Sequence, residues 1–489
     1  MTFGLYANSC DQNINNSVLS DAILHVKDRA IVDFKGNPIR LRGIYTRATW
    51  LGSEEEVEWF KDWGVNFVRI LLTHDDNYWD VVNDGKVDLN KRCILREENL
   101  KHMDERVNWL EKNQIYFMVE VHWRALGIDD NLVEPELLKE QFSKFYKSLA
   151  QRYKHLNYLV GYCMFSEIYV APQYYENYKE ICTAIVDAVR EADPGRIVSM
   201  SGVQTSAPSS LIDEIHIERE SIIYDFHFYS PKMFTHYRSY YGDLRYPGWI
   251  ADGWATNIQL IDSNYLKNKL NTALKFSKKW NVPIWCGEFG AFGNAPDNSS
   301  HRWERDMYKL FEENNINWIL WTWKSGRKDV PDRWKKFWKG TANISYITIV
   351  PHGGPFSKSI DIQIQHTLDE VEIRYTLDGT EPKSNSLLYE KPFKIFDEIT
   401  VKAAAFKNKK IVTSIDSASF YQLPLQIPEN PKKLSSGLKY YYYEGDNEQI
   451  SNFENLEPVK IGVSDKFDRS MINREDKIAI KFTGYIDIP

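Results

Sequence analysis

The sequence lacks the features of several protein classes. It has no run of about 18 apolar residues, so no membrane-spanning helix is expected. Its five cysteines form no CxxC pair, which argues against a zinc ribbon and a disulfide framework. Asp and Glu (68) outnumber Lys and Arg (61), and the net charge of −7 indicates no nucleic-acid partner. The first residues, MTFGLYANSCDQNINNS, show neither the basic nor the apolar region of a secretory signal.

Aromatic residues, by contrast, are abundant. The chain has 24 Phe, 16 Trp and 29 Tyr among 489 residues, or 14%. Such a surplus suits a large core, and it also suits flat surfaces on which sugars stack. Because one domain takes very roughly 150 residues, the length predicts two to four domains.

Residues 21–341 alternate short apolar segments with amphipathic stretches, and residues 1–20 before them are expected to be disordered. One stretch, SEEEVEWFKDWG, predicts a helix with a capping box at Ser53 and Glu56 that ends at Gly64. Strands alternating eight times with helices predict an α/β fold, a (β/α)₈ barrel. The candidate strands are 39–45, 66–72, 115–123, 159–167, 196–202, 222–229, 282–290 and 317–323.

The texture of the sequence changes after residue 341. Residues 342–422 carry alternating strand patterns and an Asp-Gly turn signal in YTLDGTEP, which predict an immunoglobulin-like β-sandwich. Residues 423–437, rich in Pro and Ser, read as a linker. Residues 438–489 begin LKYYYYEG and are expected to form part of a further β domain.

Two carboxylates follow barrel strands four and seven, where the reactive groups of such barrels lie. Glu167 and Glu288 would face each other across the barrel mouth. Two opposed carboxyl groups are what glycoside hydrolysis requires, one as a protonated acid and one as an ionised nucleophile or base. The alternative is that each glutamate has only a structural role, as a partner in an ion pair.

The segment from about Ile23 to Lys336 resembles glycoside hydrolase family 5, the cellulase-like group of clan A barrels. The pieces that carry the resemblance occur in the expected order on the expected strands. They are DFKGNPIRLRGI (33–44), VNFVRI (65–70), VHW (121–123), HFY (227–229), CGEFG (286–290) and LWTW (320–323).

The resemblance implies a retaining double displacement on a β-linked glucan or mannan, without metal or cofactor. It makes Glu167 the general acid/base and Glu288 the nucleophile. It implies that Tyr229 hydrogen-bonds Glu288 and that Arg69 holds that nucleophile anionic through a charge-assisted contact.

The resemblance also assigns sugar contacts. It implies that His122 and His227 contact the sugar or the acid/base, and that Trp321 stacks under the sugar. Each has a structural alternative, a satisfied core histidine or an aromatic plug, and Arg69 has that of a core ion pair. Trp323 is expected to be mainly packing.

One residue departs from the family pattern. Members usually carry Asn before the acid/base, whereas this chain has Ser166. A serine hydroxyl is shorter and offers one donor instead of two, so transition-state contact with the sugar 2-hydroxyl is put in doubt. The alternative function is therefore a catalytically weakened barrel that acts as a carbohydrate-binding protein.

The C-terminal parts resemble modules attached to glycosidases. YTLDGTEP, SLLY and VKAAAF resemble the immunoglobulin-like domain at the C-terminus of chitobiases and hexosaminidases. GLKYYYYEG and KIAIKFTGYIDIP resemble the beginning of a PA14 domain. These resemblances imply an extracellular or surface enzyme that acts on a polysaccharide or oligosaccharide, and we expect a monomer.

Overall fold

The computed structural model describes 22–72, 97–122, 135–236, 243–252, 258–291, 295–324, 330–342, 345–423, 429, 431, 433–444, 457–467 and 478–485. The chain divides into two compact units, Met1–Leu423 and Pro424–Pro489. The predicted disordered segment 1–20 lies outside the described residues, and so does much of the predicted linker 423–437. In the part of the chain that is described, no helix is both long and apolar enough to cross a membrane.

A closed parallel barrel dominates the first unit. Its strands follow the order β11-β12-β3-β4-β5-β6-β7-β8. Seven of them lie within segments predicted from the sequence, and β3 overlaps the predicted segment 39–45 and extends two residues past it. The prediction of a (β/α)₈ barrel is thus confirmed. The strands before residue 342 are β1 (His25–Lys27), β2 (Ala30–Val32), β3 (Arg42–Arg47), β4 (Phe67–Leu71), β5 (Tyr116–His122), β6 (Leu159–Ser166), β7 (Ile197–Ser201), β8 (Ile222–Phe228), β9 (Gly248–Ala251), β10 (Ile258–Ile261), β11 (Ile284–Phe289) and β12 (Asn317–Leu320).

Helices cover the outside of the barrel because their apolar stripes bury against strands that are apolar on both faces. The helices are α1 (Glu54–Trp63), α2 (Glu97–Lys112), α3 (Pro135–Tyr153), α4 (Tyr175–Ala192), α5 (Lys232–Thr235), α6 (Ser263–Trp280), α7 (Ser299–Glu313) and α8 (Asp332–Trp338). A second apolar cluster, with Phe67, Met118 and Trp285, fills the barrel interior. The hairpin of β1 and β2 packs on that interior cluster through Leu24 and Ile31.

The start of α1 differs from the prediction. Gly64 ends the helix in a left-handed conformation with φ of 90°, as expected, but the Ser53 side chain makes no capping hydrogen bond. The carboxylate of Glu56 is buried and accepts instead from the Gly52 amide at 3.2 Å and the Trp323 indole at 3.1 Å. Tertiary burial of Glu56 therefore overrides the local capping box.

Two sheets with a shared apolar core follow the barrel. One sheet has the order β13-β15-β18 and the other β14-β21-β19-β16-β17, with β20 paired to β19. Ile349, Ile362, Val401 and Phe420 meet in that core, as in a β-sandwich. The strands are β13 (Ile347–Val350), β14 (Gly354–Phe356), β15 (Ile360–His366), β16 (Glu372–Thr376), β17 (Leu387–Leu388), β18 (Phe393–Ile395), β19 (Ile399–Lys407), β20 (Lys410–Ile411) and β21 (Asp416–Gln422).

The barrel and this sandwich meet at a buried histidine, His352, which precedes β14. Its Nδ1 lies 2.7 Å from Asp297 Oδ2, on the loop before α7, and its Nε2 lies 3.1 Å from Asp416 Oδ1, in β21. The Asp297 carboxylate also lies 3.5 Å from Arg302 Nη2, and Asp416 accepts from the Ile349 amide at 2.8 Å. We call these residues the junction cluster.

The second unit contains a small antiparallel sheet of order β23-β22-β24. Tyr440 and Tyr442 of the central strand are buried against Ile480 and Phe482. The strands are β22 (Leu438–Glu444), β23 (Lys460–Ser464) and β24 (Ile478–Thr483).

Candidate active site

Glu167 sits where β6 leaves the barrel. The pairing of β5 with β6 shifts register between Val121 and His122, and Phe165 and Glu167 both have positive φ, 49° and 57°. A bulge with left-handed backbone re-aims the side chains that follow it, at a conformational cost that the surroundings must offset. Here the Glu167 side chain is 35% exposed, whereas Ser166 before it is fully buried.

The loop after β7 supports that backbone. Ser206 Oγ accepts a hydrogen bond from the Glu167 amide at 3.2 Å, and the Ser206 carbonyl accepts from the His227 amide at 2.5 Å. Gln204, Thr205 and Ser206 are all left-handed, with φ between 54° and 62°. Ser206 was not predicted as a site residue, because no residue pattern in this loop indicates its role.

Glu288 lies in β11 and is 6% exposed. The Tyr229 hydroxyl donates to Glu288 Oε2 at 3.0 Å, the contact that the family resemblance implies. The register of β11 against β8 shifts between Cys286 and Glu288, which leaves Gly287 at the bulge. A Cβ at Gly287 would overlap Arg69 Nη1 and Asp225 Oδ1, so glycine is required for this close approach.

His227 joins the two glutamates. Its Nδ1 lies 3.0 Å from Glu167 Oε1 and 3.5 Å from Glu288 Oε2. One ring nitrogen and one oxygen of each carboxylate all lie within 4.8 Å of one another, and within the described ranges this is the group that could hold a metal ion. The structure thus brings together three of the residues singled out from the sequence.

A fully buried charged layer lies next to this group. Arg69 donates from Nε to Glu120 Oε2 at 2.5 Å, from Nη1 to Asp225 Oδ2 at 2.7 Å and from Nη2 to Cys163 Sγ at 3.2 Å. The hydrogen bonds of Arg69 therefore go to Glu120, Asp225 and Cys163 and not to Glu288, so its effect on the pKa of Glu288 acts through space.

Asp225 was not predicted as a site residue, although its position in β8 indicates it. Asp225 precedes His227 by two positions in β8, and side chains two apart in a strand point to the same face. Strand alternation from a recognised histidine would have identified this carboxylate. Glu120, at the other end of the Arg69 guanidinium, forms a fully buried ion pair with it and fits a structural role.

Burial and neighbouring charges both shift the pKa values of Glu288, His227 and Tyr229. Burial raises the pKa of Glu288, and the nearby Glu167 charge adds to the rise, while the cations of His227 and Arg69 oppose it. For His227 burial lowers the pKa, but Glu288, Asp225 and Glu167 together raise it well above its ordinary value. Burial and the Glu288 charge raise the pKa of Tyr229, which keeps its phenol protonated as a donor.

The other predicted site residues occupy more varied positions. His122 ends β5, but its side chain lies outside the described residues. Ser166 Oγ is buried and has no hydrogen-bond partner within the described part of the chain. Trp321 is half-buried, its ring 6.3 Å from that of Tyr45. Trp323 is buried against Phe60, so the packing interpretation holds for it.

Comparisons with known proteins bear on the same region. The family model described as cellulase (glycosyl hydrolase family 5) matches residues 32–327. The model described as Fn3 associated matches residues 362–420, within the β-sandwich.

The similar proteins include enzymes named endoglucanase and cellodextrinase. Endoglucanase C of Acetivibrio thermocellus is 23% identical over 304 residues, which cover 56% of this chain and 84% of the relative. Cellodextrinase A of Ruminococcus flavefaciens is 22% identical over 279 residues, covering 54% and 76%. Among solved structures, the cellulose synthase subunit Z of Clostridioides difficile has a TM-score of 0.48 at 22% identity, covering 62% of this chain and 99% of that chain.

Proposed function

The chain belongs to glycosyl hydrolase family 5, and on that premise we propose that it cleaves the O-glycosidic bonds of a β-linked glucan with retention of configuration. Glu288 is the nucleophile of this proposal and Glu167 the general acid/base. The similar proteins named endoglucanase and cellodextrinase favour a β-glucan, and a β-mannan is the other polymer to test.

The spacing of the two carboxylates is the observation that carries the proposal. Oxygens of Glu167 and Glu288 lie within 4.8 Å of each other. Retaining enzymes hold the two carboxyl groups about 5–5.5 Å apart, whereas inverting enzymes leave roughly 6.5–9.5 Å for a water molecule. The spacing therefore supports direct attack by Glu288 on the anomeric carbon.

In the first step the glycosidic bond breaks as Glu288 forms a covalent bond to the anomeric carbon. Glu167 gives its proton to the departing oxygen. In the second step Glu167, now a carboxylate, takes a proton from water, and that water displaces Glu288. Tyr229, His227 and the through-space charge of Arg69 stabilise the Glu288 anion against the cost of its burial.

The proposed reaction also requires residues that bind the sugar. We propose Ser166 as a contact of the sugar 2-hydroxyl; its hydroxyl has no protein partner within the described residues, and because it is fully buried this contact requires the side chain to become accessible when the sugar binds. His122 and Trp321 remain proposed sugar contacts. A carbohydrate-binding protein without turnover is the second candidate function, and it is favoured by the single donor that Ser166 offers.

For the rest of the chain we propose accessory roles. The β-sandwich is proposed to be of the chitobiase C-terminal immunoglobulin-like type, and residues 438–489 to be PA14-like. Because a glucan polymer is too large to enter a cell, we propose an extracellular or surface location.

The test is reducing-sugar release from soluble β-glucans and β-mannans, with Glu288→Gln as the matched variant. We expect release by the wild type alone. Proton NMR of the first product should show the β anomer before mutarotation. An initial α anomer contradicts double displacement, and unchanged oligosaccharide affinity with no release by the wild type establishes the binding-protein alternative.

A further inference from the structure

We propose that Asp225 is a positioning residue whose charge holds a hydrogen on His227 Nε2 and thereby places one shared proton between His227 Nδ1 and Glu167. The inference rests on the proposed function, in which Glu167 must deliver a proton to the glycosidic oxygen. It assigns a role to a buried carboxylate that does not itself touch the sugar.

The geometry around the ring carries the inference. His227 Nε2 lies 3.8 Å from Asp225 Oδ2, while Nδ1 lies 3.0 Å from Glu167 Oε1. An anion beside Nε2 favours a hydrogen on that nitrogen and disfavours its lone pair. Nδ1 is then the atom that exchanges a proton with Glu167, either accepting from the carboxylic acid or donating to the carboxylate. One proton lies between the two residues in both cases.

Asp225 is itself held in place. Arg69 Nη1 donates to Asp225 Oδ2 at 2.7 Å, and both side chains are fully buried. One guanidinium faces two carboxylates in this layer, Asp225 and Glu120, so one negative charge is left over beside the imidazole. Within a water-poor interior such a surplus attracts a proton to the nearest base.

The other charged groups that face His227 act on the same proton. Glu167 faces it from the end of β6 and Glu288 from β11, at 3.5 Å from Nδ1. Glu288, Asp225 and Glu167 all raise the pKa of His227 against its burial. Asp225 is the one among these three that takes no covalent or proton-transfer part in the proposed reaction.

Glu120 provides a matched control within the same layer. It is fully buried and bonds the same guanidinium, at 2.5 Å from Arg69 Nε, yet its ion pair is with Arg69 and not with the imidazole. Glu120→Gln and Asp225→Asn each remove one anion from Arg69 with little change of shape. They differ in whether the lost charge faces His227.

The experiment is the pH dependence of kcat/KM for the full chain and both variants. In Asp225→Asn we expect the alkaline limb to move about one pH unit or more to lower pH. The reason is that loss of the anion lowers the affinity of His227 and Glu167 for the proton they share. In Glu120→Gln the alkaline limb stays at the wild-type pH. An unmoved limb in Asp225→Asn, or equal movement in both variants, overturns the inference.

A second measurement needs neither turnover nor a folded Asp225→Asn. Nitrogen–proton correlation spectra of the wild-type ring, with its signals identified by their loss in His227→Gln, report which nitrogen carries hydrogen. We expect a hydrogen on Nε2 throughout the neutral pH range. A ring protonated on Nδ1 alone overturns the inference, whereas an inactive wild type with the expected spectrum overturns only the proposed function.

Discussion

Two buried histidines of this chain lie between carboxylates, one at the barrel mouth and one in the junction cluster. His352 has both nitrogens within hydrogen-bond distance of acids, at 2.7 Å and 3.1 Å. His227 has one nitrogen near two glutamates, and its Nε2 has no hydrogen-bond partner among the described residues. The same kinds of groups are therefore fully paired in one place and partly paired in the other.

The difference is in how the carboxylates are compensated. In the junction cluster His352 and Arg302, with other partners, hold the pKa of Asp297 and Asp416 below the ordinary value in spite of burial. At the barrel mouth, burial raises the pKa of Glu288. A cluster whose charges are all matched stabilises the fold, whereas one with an unmatched charge retains reactivity.

The largest effect on turnover is expected from Glu288→Gln at the barrel mouth. We expect turnover to fall by about 10⁴-fold or more, because the nucleophile of a two-step reaction is lost. The melting temperature should not fall, since a costly buried charge disappears. Steady-state hydrolysis and thermal unfolding of the same preparation check both.

Glu304→Gln is the matched control for that change. Glu304 is a buried glutamate of α7 whose pKa burial raises to about 7, and it pairs with Arg333 of α8 at 2.9 Å. We expect this variant to keep wild-type turnover. A comparable loss in Glu304→Gln would show that burying a neutral amide, rather than losing a nucleophile, impairs the enzyme.

Glu167→Gln is expected to have the next largest effect. Loss of a general acid typically lowers the rate by about 10²–10⁴-fold. The loss should shrink on aryl glycosides whose leaving group needs no proton. Rates on an activated and an unactivated glucoside check this, and an equal loss on both would contradict the acid role.

His352→Gln should affect stability rather than turnover. We expect a loss of about 2 kcal/mol of unfolding free energy, less than the roughly 3–5 kcal/mol of a fully buried pair, because Asp297 is partly exposed. Its partners Asp297 and Asp416 raise the pKa of His352 against its burial. The stabilisation is therefore fully present below the unfolded value of about 6.5 and is lost as the pH rises through the higher folded pKa.

Urea unfolding of wild type and His352→Gln at several pH values checks that prediction. The difference between the two proteins should be larger at pH 6 than in the alkaline range. A difference that grows with pH would show that His352 acts as a neutral hydrogen-bonding group.

The smallest effect is expected from Ser166→Ala. Loss of one neutral hydrogen bond to the sugar should lower kcat/KM about fivefold, the equivalent of about 1 kcal/mol. The penalty should vanish on a 2-deoxyglucoside, which lacks the partner hydroxyl. An undiminished penalty on that substrate would assign Ser166 to packing.

The barrel could be predicted from the sequence because apolar strands and amphipathic helices follow local periodicity. Glu167, Glu288 and His227 could be predicted as well, since strand ends converge in a closed barrel. The partners of Arg69 could not, because which of several buried carboxylates a guanidinium meets depends on tertiary packing. The left-handed residues 204–206 include no glycine, so the sequence does not indicate their conformation. The predicted capping box at Ser53 does not form, because Glu56 is buried and bonds other groups.

Gly287 lets β11, the strand of Glu288, lie directly against the charged layer, with no room for a methyl group. Substitutions at position 287 and substitutions in the charged layer are therefore not independent of each other, whether in evolution or in a mutant library. A larger residue at position 287 would need room from two side chains, so it requires compensating changes at both Arg69 and Asp225. The absence of a side chain at position 287 thus couples the substitutions that are permitted on three strands, β4, β8 and β11.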